Sequence, residues 1–172
     1  MTAARVALVS VVAISLQLTV FVDVRVFGVA PELLALVAVL AGYFGGPLSG
    51  PVVGFGAGVL WDIYLPTHLG VSALIFAVVA YIIGTLEAGL FHDSRLQAVA
   101  VVAVASMAAV VSYALLNEIL GVRGLIDLDM LRVAAVVGLL NGLLSLVAAP
   151  AVKWAMATTP HALAAKLPVI RD

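Results

Sequence analysis

Long apolar runs broken by short polar punctuation dominate the chain: Val6–Val22, Leu33–Trp61 and Val133–Val152 carry no charged residue. Each approaches or exceeds the roughly 20 residues that cross a hydrocarbon core as a helix. The pattern predicts spans over about 5–22, 30–44, 47–61, 70–90, 97–117 and 131–154, and hence an all-α integral membrane protein of six transmembrane helices in a single polytopic domain, 1–172. The run Leu33–Trp61 is the demanding one. As one helix it would rise about 44 Å, too long for a core of roughly 30 Å. Gly45-Gly46-Pro47 is a turn signal within it, because Gly accepts positive φ and Pro cannot continue a preceding helical ladder.

Glycine recurs at every fourth position through Gly42, Gly46, Gly50, Gly54 and Gly58, and from Gly50 onward these line one face of the third span, with Gly56 off that face. Helices in lipid gain little from burying apolar surface and associate through close backbone packing, which such a stripe permits. Its occupant is either a sister helix of the same chain or the transmembrane helix of another protein. Pro47 and Pro51 fall near the start of that helix, where a missing N–H costs least.

Few polar residues interrupt the spans. Gln17, Ser106, Ser112, Asn141 and Ser145 lie deep and none is ionisable; Gln17 and Asn141 are expected to serve as interhelical hydrogen-bond donors and acceptors, with ligand contact as the alternative. Glu32, Asp62, Glu87, Glu118, Asp127 and Asp129 fall at span ends or in loops. Asp62 stands out because it ends the glycine helix between Trp61 and Tyr64 and ahead of Leu65-Pro66-Thr67-His68-Leu69-Gly70. It could accept backbone N–H groups or pair with His68 or an Arg. Trp61, Tyr64 and Trp154 sit at span ends, where amphipathic rings favour the headgroup level.

Composition then narrows the chemistry. Of 172 residues 65% are apolar and 10% charged, against roughly 25% charged in soluble domains. The eight Lys and Arg residues are scattered, which argues against a nucleic-acid partner. Cysteine is absent, removing disulfides, thiolate metal sites and Cys nucleophiles. His68, His92 and His161 lie on different loops without ligand spacing, so no metal is expected. No nucleophile–base–acid combination or Gly-Lys phosphate loop appears, and neither an enzyme nor a cofactor is expected. The first span lacks a small-x-small cleavage site at Phe21-Val22-Asp23-Val24-Arg25 and reads as a retained helix. Six spans with both termini in the cytoplasm put Arg5, Arg95, Lys153, Lys166 and Arg171 inside and Arg25, Arg123 and Arg132 outside. Five spans with an outside N-terminus give the same five-to-three split, with Arg5 and Arg25 exchanging sides.

Pro31-Glu32-Leu33-Leu34 and the stretch Gly50-Pro51-Val52-Val53-Gly54-Phe55-Gly56-Ala57-Gly58-Val59-Leu60-Trp61-Asp62 resemble the bacterial rod shape-determining MreD family. Leu16-Gln17, Gly70 and Tyr81-Ile82-Ile83-Gly84 add to the likeness, and the second half is similar as a hydrophobic profile. Glu32 stands where the family often has Asp, and Trp61 where an aliphatic residue is common. The resemblance implies a non-catalytic scaffold in the bacterial cytoplasmic membrane that binds the bitopic protein MreC. Through MreC it would meet RodA, its penicillin-binding transpeptidase and the filament protein MreB. It also implies a fold like that of the substrate-binding components of energy-coupling-factor transporters, which makes vitamin-type small-molecule binding the alternative function. The residues expected to pack helices or meet a partner are Gly50, Gly54, Phe55, Gly58, Trp61, Asp62 and Gly70; Gln17, Pro31, Glu32 and Asn141 are expected to be structural polar positions.

Overall fold

The computed structural model describes residues 3–66, 68–90 and 95–157. His92, His161, Lys166 and Arg171 lie outside them. Five helices follow in chain order: α1 (Ala3–Thr19), α2 (Leu33–Asp62), α3 (Val71–Leu90), α4 (Arg95–Ile119) and α5 (Leu128–Met156). Of these, α2, α4 and α5 are long and apolar enough to cross a membrane, while α1 and α3 are shorter apolar helices. This all-helical, lipid-compatible bundle is a membrane protein.

The expectation of six separate helices is corrected to five, and the cause is local. Gly46, at φ 68° and ψ −172°, is the only non-helical residue between Leu33 and Asp62, so the helix resumes at once rather than after a loop. One residue nevertheless reverses the chain. A straight helix would separate Glu32 from Trp61 by about 43 Å, yet the Trp61 indole N–H donates to Glu32 Oε1 at 3.1 Å. A Cβ on Gly50 would stand 2.6 Å from the Gly42 Cα. α2 is therefore a helical hairpin with arms of about 20 and 24 Å on either side of Gly46. The first arm is the most buried part of the molecule, Leu34, Leu36, Leu40 and Val39 being almost wholly enclosed.

α3 runs antiparallel to the second arm. A Cβ on Gly54 would meet Phe76 O, on Gly58 it would meet Ala73, and on Gly84 it would meet the Gly46–Pro47 peptide, so successive contacts step forward on one helix and backward on the other. α4 and α5 form a second antiparallel pair, with Gly138 against Ala103 and Met107 and Gly142 against Ala103 and Val99.

The pairs do not match in height. Asn141, near the middle of α5, reaches the start of α2 at Glu32 and also reaches Ser106 in α4. About 20 Å of α5 before Asn141, and a similar length of α4 after Ser106, thus extend past the level where α2 begins. The α1–α2 and α2–α3 loops lie at that same end, together with Arg25, Arg123 and Arg132 and the carboxylates Asp23, Glu32, Asp62, Glu118, Asp127 and Asp129. The opposite end carries Arg5, Arg95 and Lys153, with the Arg5 guanidinium 4.7 Å from the centre of the Trp154 ring.

Candidate functional site

α2 begins with amides that no side chain of its own first turn satisfies, because Glu32 at the N-cap makes no capping bond. Residues from two other helices take up those of Glu32 and Leu33. Gln17 of α1 accepts from Leu33 N–H at 2.8 Å through Oε1 and donates from Nε2 to Pro31 O at 2.8 Å. Asn141 of α5 accepts from Glu32 N–H at 3.1 Å and donates to Glu32 O at 3.1 Å. Its amide also donates to Ser106 Oγ at 3.1 Å. Trp61 completes the cluster from the far arm of α2 through its bond to Glu32. Gln17, Pro31, Glu32 and Asn141, separated by up to 109 residues in sequence, thus form one node. It is a cap supplied in trans, which gives the Leu33 N–H and the Glu32 peptide partners where the helix starts inside an apolar bundle.

Asp62 solves the same problem for α3. It is 2% exposed and accepts from Gly70 N–H at 2.7 Å, Ser72 N–H at 3.1 Å and Ala73 N–H at 3.3 Å. Among the described residues its partners are these three backbone groups, and a carboxylate at a helix N-terminus is also favoured by the helix dipole. Gly70 sits at φ 97°, a conformation that side chains resist, and this directs its N–H at Asp62. The Trp61–Gly70 connection is thereby closed onto the start of α3.

The glycine ridge lies against this chain's own backbone. Gly42 faces Ala80, Gly50 faces Gly42, Gly54 faces Phe76 and Gly58 faces Ala73, all too close for a side chain. The face is filled by α3 and the first arm of α2. Phe55 and Gly56 point away from it; Phe55 is 55% exposed, and nothing lies within 4 Å of a Cβ built on Gly56.

Sequence reasoning overlooked two features. Gly138 and Gly142 repeat the four-residue spacing of the ridge and bring α4 onto α5, and that spacing was visible. Asn117 is fully buried, yet only its Nδ2 is bonded, to Tyr113 O at 3.0 Å, while its Oδ1 has no partner. Its position at the end of an apolar run gave no sign of that.

Taken together, the buried polar groups of the node and of Asp62 hold backbone. Among the described residues no three His, Cys, Asp or Glu side chains approach closely enough to hold a metal ion. The arrangement holds helices in register.

Two open apolar clefts remain on the outside of the bundle. One, of about 480 Å³, separates α3 from α4 between Ile82, Ile83, Leu86, Val101 and Val104. The other lies between α1, the first arm of α2 and α5.

No curated protein and no solved structure matches the chain, so the expected likeness to vitamin-transport components finds no support. The family model for rod shape-determining protein MreD matches residues 2–156. That match takes in all five helices, the trans cap and the Asp62 clasp, and the chain belongs to the MreD family of rod shape-determining proteins.

Proposed function

We propose that the chain is a non-catalytic, multi-pass scaffold of the bacterial cytoplasmic membrane that holds the single transmembrane helix of MreC. Through MreC it would link RodA, its penicillin-binding transpeptidase and MreB during wall elongation. In this reading each arm of α2 crosses the bilayer, giving six crossing segments and both termini in the cytoplasm. Family membership supports the shape-determining role. The observation that carries the scaffold reading is that the node's amides and the Asp62 carboxylate are engaged in holding backbone.

The docking face is the α3–α4 cleft. The glycine ridge is taken up internally, whereas this cleft is lined along two neighbouring helices by aliphatic side chains with Gln97 as the one polar residue, and Val104 on its wall is 65% exposed. An apolar helix fits it without leaving polar groups unpaired. Val104→Trp fills the cleft without touching the node. It should abolish co-purification with MreC while the protein stays folded in the membrane; retained co-purification would remove the cleft from consideration. Gly56→Leu, on a different outward face, should leave co-purification unchanged.

A further inference from the structure

We propose that a third cleft, at the Arg95–Lys153 end of the molecule, binds the phosphate group of an anionic membrane lipid. This cleft, of about 530 Å³, lies between the first arm of α2, α4 and α5. Its lining has two parts. Leu40, Ala98 and Ala149 make an apolar floor, while Arg95 at the start of α4 and Lys153 near the end of α5 bring two cations to it.

Neither cation forms an ion pair with a described residue. Among the described residues the only ion pair is Arg132 with Asp129 at the other end of the bundle, 3.5 Å apart. Lys153 Nζ lies 5.9 Å from the centre of the Phe44 ring, a contact that leaves its N–H donors available. Phe44 and Tyr43 pack edge to face at 5.2 Å and form an aromatic wall. The α3–α4 cleft supplies the contrast, because no charged residue lines it. Two cations over an apolar floor fit a ligand with an anionic head and a hydrocarbon body. The neighbouring surface of α5, with Leu146 54% and Val147 77% exposed, continues the apolar path along which an acyl chain would run. Basic pockets between helices at the cytoplasmic membrane face take phosphate headgroups in this way.

The test uses the full chain, exchanged into nanodiscs of equimolar phosphatidylglycerol and phosphatidylcholine and analysed by native mass spectrometry for retained lipid. Phosphatidylglycerol should be retained over phosphatidylcholine by roughly ten- to thirtyfold, the range for two cations near a membrane surface. In R95Q/K153Q the ratio should fall towards one, with the far-UV helical signal unchanged. Ala149→Trp fills the floor without altering charge and should also lower retention, so it decides the matter if the double variant fails to fold. Equal retention of both lipids by the wild-type protein overturns the proposal. So does an undiminished preference in the folded variants. Displacement of the retained lipid by millimolar inorganic phosphate would assign the cations to a free anion and overturn the lipid assignment. None of these outcomes depends on whether MreC binds.

Discussion

Asn141 and Asn117 are both fully buried amides in apolar helices, and they differ in what they hold. Asn141 satisfies the Glu32 peptide and Ser106, so Asn141→Leu strands a buried backbone donor and should cost about 1–3 kcal/mol. Unfolding of purified protein in mixed micelles by increasing SDS, followed by circular dichroism, reads that loss. Asn117 already carries an unpartnered buried Oδ1. Asn117→Leu should therefore lie within about 1 kcal/mol of wild type, or be more stable. A large loss there would mean that its free acceptor has a partner in the membrane. The importance of Gln17 and Asn141 could be read from the sequence, because an amide in an apolar span demands a partner. What they bind could not, since the partner is a stretch of backbone 14 residues away in one case and 109 in the other.

At the scale of elements the glycine spacing was legible, and its occupant was not. Every fourth residue being Gly implies a close neighbour, but sequence periodicity gives no coordinates for that neighbour. The α3 backbone now fills the position, so Gly54→Leu and Gly58→Leu should prevent accumulation of folded protein, rather than selectively weakening a partnership. Gly56→Leu meets open space and should accumulate at wild-type levels, as judged by fluorescence-detected size exclusion. Normal accumulation of both ridge variants would contradict the close packing of α3. The turn at Gly46 was also readable, from Gly-Gly-Pro, and two helical arms do meet there. A single residue at positive φ suffices to reverse direction, so the two helical arms meet at Gly46 with no loop between them. Gly46→Ala should strain that reversal, lowering the melting temperature by several degrees.

For the whole molecule the question is which ends meet which aqueous phase. A chain without cysteine gives a clean background for labelling. With six crossing segments and cytoplasmic termini, Leu48→Cys beside the α2 turn should react with an impermeant maleimide only from the cytoplasmic side. Leu69→Cys, in the α2–α3 loop, should react only from outside. Both positions are well exposed, at 87% and 75%. Reaction of both from one side would show that the two arms of α2 do not cross the bilayer. Charge counting left this open because five- and six-span topologies distribute the cations equally.

The mismatch between the tall α4–α5 pair and the short arms of α2 carries a consequence for the surrounding lipid. A bilayer of uniform thickness cannot match a hydrophobic flank of about 20 Å and one of about 30 Å, and each ångström of misfit costs a fraction of a kcal/mol. The annulus around the protein must therefore slope, thinner beside α2 and thicker beside α4 and α5. Any neighbouring helix is then sorted by its own hydrophobic length before a single side chain is recognised.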